Sequence, residues 1–275
     1  MAVLRLAADR FWLLTGKANM PAELFWIRQH APADGSVDIV DRSEEFVSLA
    51  LWGPNARKVL QKVTETDLSD AAFPFYTAQD IGVGMTPAKA LRISYVGELG
   101  WEIYAPVSFG QQLWDTLWES GREFGMHACG IAALLALRLE KGYRLYGADM
   151  TTEYNPYEAG LGWMVKTQKT DFIGREAAVA IKEAGVSKRL CCLTFDDPAT
   201  IMFGFEPVFA NGKVVGRVTS ADYGYCVGKF IAYADLDSAY AATGTELEVQ
   251  YTGQRYQARV AAEPLFDPDM ARLKA

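Results

Sequence analysis

Histidine, cysteine and excess positive charge are all scarce in this chain. Among 275 residues there are two histidines and four cysteines. His30 and His127 stand alone, and no two of Cys129, Cys191, Cys192 and Cys226 form a Cys-x-x-Cys pair. That spacing excludes the ordinary zinc signatures, so no metal site is expected. No local motif supports a Ser-His-Asp or Cys-His site, although counting alone leaves one open. Cys191 and Cys192 are neighbours, and in a strand they would point to opposite faces. The cysteines are expected to be small buried hydrophobes in a reducing, cytoplasmic compartment. The formal net charge of −7 disfavours a nucleic-acid partner, which needs clustered Lys and Arg. No apolar run reaches membrane-spanning length, and the first ten residues lack the apolar region of a signal peptide. No Gly-x-Gly-x-x-Gly follows an apolar run, so the chain is expected to carry no flavin or nicotinamide site of its own. Internal repeats and low-complexity tracts are absent as well.

Hydrophobic residues make up 50% of the chain, enough for a large core. Ala2 to Leu6 and Phe11 to Thr15 alternate as strands about the turn Asp9-Arg10. Pro21 to Gln29 reads as a helix with proline in its first turn. Val37 to Val40 and Phe46 to Trp52 read as strands, and Pro54 opens a helix with Ala56, Val59, Leu60 and Val63 on one face. Phe73 to Asp80 is ambiguous. Ala88 to Tyr95 and Trp101 to Tyr104 suit a hairpin around Gly97-Glu98-Leu99-Gly100. Ser108 suits the N-cap of an amphipathic helix carrying Phe109, Leu113, Leu117 and Trp118. After Ala184 no helix is evident. Short β-rich runs follow (190–195, 207–210, 214–219, 227–234 and 247–251), separated by turns at Asn211-Gly212, Tyr223-Gly224 and Thr252-Gly253. The expected architecture is an α+β layered domain over residues 1–186, then a small β-barrel over residues 187–275.

The densest chemistry lies between Leu137 and Trp163. A helix from Cys129 to Lys141 ends at Gly142, where a left-handed C-cap is free of Cβ strain. Arg138, Lys141 and Arg144 then fall close to Tyr143 and Tyr146, a compact set of anion donors and stacking faces. Arg138 suits either a structural ion pair with Glu140 or another acid, or a bidentate grip on a ligand carboxylate. Glu98, between two glycines, is either a solvated turn acid or a carboxylate able to hold a flat pair of N–H donors through two parallel bonds. Tyr95, Tyr143 and Tyr146 suit core packing or ring stacking.

Several segments carry a resemblance. Tyr95-Val96-Gly97-Glu98-Leu99-Gly100-Trp101-Glu102, Asn155-Pro156-Tyr157-Glu158-Ala159-Gly160-Leu161, Thr219-Ser220-Ala221-Asp222-Tyr223-Gly224-Tyr225-Cys226-Val227-Gly228-Lys229 and Glu263-Pro264-Leu265-Phe266-Asp267-Pro268 resemble motifs of the aminomethyltransferase (glycine cleavage T-protein) folate-binding family. The wording of Leu139-Glu140-Lys141-Gly142 and Gly97-Glu98-Leu99-Gly100 is most similar to the carboxy-terminal folate domain of dimethylglycine and sarcosine dehydrogenases. The resemblance implies tetrahydrofolate as cofactor, with Glu98 on the pterin and Tyr95 and Tyr146 near its rings. It further places Arg138 and Arg272 toward the benzoyl-glutamate. The family carries a further Arg four positions before Arg138, where this chain has Leu134.

The activity so implied is transfer of a methylene or aminomethyl unit to tetrahydrofolate, as in glycine cleavage or the demethylation of dimethylglycine or sarcosine. The donor would be a methylated amine or an aminomethyl carrier, with a flavin dehydrogenase domain or subunit as possible partner. The family's catalytic aspartate precedes the strand that here begins at Met1, so no catalytic residue is assigned and the chain is expected to be truncated relative to the family. Alternatives are a fragment of a larger flavin-dependent dehydrogenase and a folate-binding module without catalysis.

Overall fold

The computed structural model describes residues 1–197 and 199–275. The chain forms two compact units: residues 1–51, 56–93 and 101–124 make the first, and residues 52–55, 94–100 and 125–275 the second. The expected boundary at residue 186 falls inside the second unit.

In the first unit β1 (Ala2–Arg5) and β2 (Phe11–Leu14) form the expected antiparallel hairpin, with Ala2 opposite Leu14 and Arg5 opposite Phe11. Helix α1 (Met20–Gln29) carries its proline in the first turn. Residues 37–40 do not form the expected strand; Val37 and Val40 are exposed and no partner strand pairs with them. β3 (Phe46–Trp52) is followed by α2 (Ala56–Gln61), which buries Ala56, Val59 and Leu60. The ambiguous stretch after Phe73 resolves as a loop leading into β4 (Ala78–Val83), which pairs with β5 (Thr86–Leu91) across Gly84-Met85. β6 (Gly100–Pro106) completes a four-stranded sheet of order β3-β6-β5-β4.

Helix α3 (Gly110–Gly121) buries Leu113 and Leu117 as its apolar stripe requires. Ser108 is not its cap. Residues 107–109 form a single 3-10 turn, and Phe109 takes the cap position without a side-chain bond. A Cβ on Gly110 would lie 3.0 Å from Val47, so the first residue of the helix must be small. The core of this unit includes Phe73, Trp101, Ile103 and a fully buried Arg92, whose guanidinium meets the Phe73 carbonyl at 2.7 Å and Asp70 at 2.6 Å. Those acceptors keep the buried cation from being an isolated charge.

The second unit contains α4 (Ile131–Glu140), α5 (Arg175–Ala184) and six strands: β7 (Lys188–Phe195), β8 (Pro207–Ala210), β9 (Lys213–Gly224), β10 (Lys229–Asp237), β11 (Glu246–Tyr251) and β12 (Gln254–Ala261). The strands close into a barrel in the order β10-β7-β12-β11-β8-β9, and no α-helix follows Ala184 among the described residues. Two-residue turns join β8 to β9 and β11 to β12. Asn211-Gly212 has φ of 50° and 76°, Thr252-Gly253 has 47° and 82°, and such paired positive angles match the twist of a hairpin. Tyr223-Gly224 is not a turn. It ends β9, and the chain reverses over residues 225–228, where the Gly228 amide donates to the Gly224 carbonyl at 2.8 Å.

Strand alternation gives the barrel two apolar faces. Cys191, Leu193, Ala232 and Ala234 point into its core. Cys192, Ile231 and Tyr233 point the other way, onto Leu139 of α4. The adjacent cysteines thus lie on opposite faces, as expected. All four cysteines are free thiols. Burial pushes the Cys191 and Cys192 thiols up to about 11 and about 12. Between β9 and β10 the register shifts, with Ser220 opposite Tyr233 but Val218 opposite Ala234. Thr219 is the extra residue, and the bulge aims its hydroxyl away from the regular ladder.

Candidate functional site in the second unit

β5 and β6 pair only as far as Leu91 opposite Glu102, so Glu98 is not at the tip of a tight hairpin. It lies in a longer loop, and residues 94–100 of that loop belong to the second unit. The Gly53 amide holds the Leu99 carbonyl at 2.8 Å. Gly97 has φ of 79°, and a Cβ there would lie 2.6 Å from the Lys141 side chain. Glycine is therefore required by both the backbone angle and the close approach. The aliphatic stem of Lys141, at the end of α4, forms the surface on which the residue before Glu98 rests.

The Glu98 side chain is 14% exposed, and Arg272 Nη1 donates to its Oε1 at 3.0 Å. Its Oε2 is buried and has no hydrogen-bond donor among the described residues. A buried carboxylate oxygen without a donor is costly and calls for one. Glu140 is similar: its Oε1 accepts the Cys226 amide at 2.6 Å and the Val227 amide at 3.4 Å, while its buried Oε2 has no donor. The Cys226 thiol is pushed up to about 11, by burial first and then by the Glu140 carboxylate, with Glu98 adding a smaller push.

The basic block is mostly spent internally. Arg138 is 3% exposed, ion-pairs with Asp149 and donates to the Tyr143 carbonyl at 3.0 Å. The same Asp149 carboxylate accepts the Leu145 amide at 2.9 Å, the Thr219 hydroxyl at 2.7 Å and the Ser220 hydroxyl, the latter two presented by the β9 bulge. Arg138 is thus built into an ion pair with Asp149, not with Glu140, and does not present its guanidinium to solvent. Arg144 grips Glu263 with both terminal nitrogens, at 3.0 and 2.6 Å, and Tyr233 donates to the same carboxylate at 2.6 Å. Lys141 donates to the Asp267 carbonyl at 2.5 Å and its carboxylate at 3.3 Å. Each buried cation of the block has found an acid, as low-dielectric burial demands.

The tyrosines divide. Tyr95 donates its hydroxyl to the Arg144 carbonyl at 2.7 Å, and its ring stacks on Tyr143 with centroids 5.8 Å apart. Desolvation raises its pKa above the usual phenol value. Tyr146 is 45% exposed. Arg272, expected toward the ligand's acidic tail, lies on Glu98. The acids that neutralise the block were not assigned: Glu263 and Asp267 lie far along the chain from Arg144 and Lys141, and Asp149, 11 positions from Arg138, is brought to it by the loop after α4. This leaves a carboxylate with one oxygen held by a half-exposed Arg and the other waiting for a donor. Such a carboxylate suits a group that presents N–H donors.

Comparisons with known proteins identify the family. The "GCVT N-terminal domain" family matches residues 1–169, and the "Glycine cleavage T-protein C-terminal barrel domain" family matches residues 188–267. Human mitochondrial dimethylglycine dehydrogenase is 39% identical over 278 aligned residues, which cover 100% of this chain and 32% of that protein. An aminomethyltransferase of Symbiobacterium thermophilum is 37% identical, over 96% of this chain and 71% of that protein. The crystal structure of the glycine cleavage system aminomethyltransferase T from Bartonella henselae superposes with a TM-score of 0.84 at 27% identity, covering 97% of this chain and 71% of that one. The chain spans about a third of the length of the dimethylglycine dehydrogenases it matches. With both domain families matched in order over most of its length, the chain belongs to the aminomethyltransferase family, the tetrahydrofolate-binding T-protein family of glycine cleavage.

Proposed function

We propose that this chain binds tetrahydrofolate through Glu98 and serves in folate-dependent transfer of a one-carbon unit from a methylated amine or an aminomethyl donor. The observation that carries the proposal is the buried Oε2 of Glu98, an acceptor without a donor beside an oxygen already held by Arg272. A carboxylate fixed in this way offers two parallel acceptors to the amino group and ring N–H of a pterin. Arg272 fixes the rotation of the carboxylate. Tyr146 supplies an exposed ring for stacking, while Tyr95 supports the site from a half-buried position. Bound tetrahydrofolate would supply the nitrogen that accepts the one-carbon unit.

The resemblance of residues 97–100 and 139–142 to the dehydrogenase branch favours a demethylation donor such as dimethylglycine or sarcosine. The likeness to dimethylglycine and sarcosine dehydrogenases supports the same choice. In that reading a flavin dehydrogenase domain or subunit generates the one-carbon unit and this chain receives it, in the cytoplasm. Calorimetric titration with tetrahydrofolate under anaerobic conditions tests the binding step. Wild type should release heat and Glu98→Gln should bind at least about tenfold more weakly, the scale of one lost charge-assisted bond. No heat with wild type, or equal affinity for the variant, overturns the assignment. Methylene transfer from sarcosine or dimethylglycine in the presence of a flavin dehydrogenase then tests catalysis.

A further inference from the structure

The last residues of the chain are fastened by an interaction that the Glu98 reading does not use. Lys141 is 4% exposed, and its ammonium donates to the backbone carbonyl of Asp267 at 2.5 Å, to its carboxylate at 3.3 Å and to the Phe266 carbonyl at 3.5 Å. One residue earlier, the Glu140 carbonyl accepts the Phe266 amide at 3.0 Å. The Asp267 carboxylate in turn accepts the Arg272 amide at 3.1 Å and the Leu273 amide at 3.3 Å, so it caps the turn that carries Arg272. The Leu273 side chain is buried. Arg272 then reaches Glu98 at 3.0 Å, with its guanidinium 5.4 Å from the Phe266 ring. On the other side the Lys141 stem underlies Gly97, directly before Glu98. One buried lysine therefore touches the segments bearing both members of the Glu98–Arg272 pair.

We propose that Lys141 and Asp267 form a positioning clamp that sets Arg272 against Glu98, and so sets the geometry in which the Glu98 carboxylate meets an N–H donor ligand. The ligand class rests on the Glu98 reading above; the clamp itself does not. A buried ammonium commonly finds one carboxylate, whereas here it is spent on two backbone carbonyls as well, which fixes the chain path. Asp267 has φ of 47°, a left-handed conformation that Asp and Asn tolerate better than other side chains. It therefore holds a strained position at which only a short polar side chain can both turn the backbone and cap the next amides.

A double-mutant cycle in the full chain tests the clamp. Asp267→Asn keeps a side chain suited to the left-handed backbone and removes the charge. Lys141→Met keeps the stem under Gly97 and removes the donor. Arg272→Ala removes the positioned group. Hydrogen exchange without ligand should show faster amide exchange in residues 94–100 for all three variants. Exchange in residues 266–275 should accelerate only for the two clamp variants. Tetrahydrofolate affinity should fall about three- to tenfold in each single variant, the scale of one partly exposed charge-assisted bond. Asp267→Asn combined with Arg272→Ala should bind no more weakly than the weaker single variant, because the clamp acts through Arg272. Additive losses, or unchanged exchange at residues 94–100 in the clamp variants, overturn the proposal. If wild type binds no tetrahydrofolate, the ligand assignment fails while the exchange experiment still decides the clamp. A variant that unfolds is replaced by the other clamp variant, with thermal melts establishing which chains are folded.

Discussion

The ion pair between Arg138 and Asp149 gives the sharpest test, because it decides whether the basic block is ligand-facing or structural. The side chains are 3% and 1% exposed, so solvent screens them little and the scale for a buried pair applies. Removing one partner of such a pair typically costs about 3–5 kcal/mol, because the other charge stays buried and uncompensated. The two deletions should differ. In Arg138→Met, Asp149 keeps the Leu145 amide and the Thr219 and Ser220 hydroxyls, so the loss should lie near about 3 kcal/mol. In Asp149→Ala, Arg138 keeps only the Tyr143 carbonyl while its Nε already lacks a partner, so the loss should approach about 5 kcal/mol. For a chain of this size each kcal/mol moves the melting temperature by roughly 2–4 °C, so Arg138→Met should melt about 6–12 °C lower. The double replacement Arg138→Met with Asp149→Ala should lose less than the two single losses added. Urea denaturation measures these differences directly. Below its melting range, Arg138→Met should bind tetrahydrofolate within about threefold of wild type, well under the tenfold step of 1.4 kcal/mol. Single losses under about 1 kcal/mol, or a binding defect without a stability defect, would refute the argument for a buried pair and return Arg138 to the ligand.

Other outcomes follow from single features. Thr252 is β-branched at φ of 47°, so Thr252→Asn should stabilise the chain by about 1 kcal/mol, read as a higher melting temperature. Cys226 is exposed, yet its thiol is pushed up to about 11, so at pH 8 it should alkylate more slowly than a free thiol and gain rate as pH rises toward that value. Glu140→Gln should speed that alkylation, since it removes the neighbouring negative charge. At Asp267, burial raises the pKa but is outweighed by the Arg272 and Leu273 amides and Lys141, so the net direction is downward. A depressed folded-state pKa means its stabilisation is present above the unfolded value near 3.9 and fades as pH falls through the lower folded value. Asp267→Asn should accordingly flatten the acid limb of stability, followed by circular dichroism.

Much of the fold could be read from local chemistry. Asn211-Gly212 announced a hairpin because only such residues take two positive φ angles cheaply, and the alternation at Phe46 to Trp52 marked a half-buried strand. β12 was missed because Gln254, Arg255, Gln257 and Arg259 outnumber its buried Ala258 and Val260, so its outward face masks the strand signal. Val37 and Val40 misled in the opposite direction, since β propensity without a partner strand gives no strand. At the site, the residues alone left Glu98 as readily a solvated turn acid, and the resemblance singled it out; the fate of Arg138, Lys141 and Arg144 was not legible. Their charge density read as an anion site, whereas Glu263 and Asp267 neutralise Arg144 and Lys141 from far along the chain and Asp149 reaches Arg138 across the loop after α4.

Glu98 and Arg272 are separated by 174 positions, and this has a consequence in time. A chain growing from its amino terminus completes Gly97 and Lys141 early, and all six barrel strands by Ala261, before the guanidinium exists. Closing so long a loop carries an entropic cost that grows only slowly with length, so the late partner can still find an early one. The carboxylate thus meets its Arg only after every barrel strand has been made. A chain stopped just past Ala261 would contain all six barrel strands but would lack the cation that pairs with Glu98. The pairing of Glu98 with Arg272 is therefore a late event in the growth of this chain, after its sheets are complete.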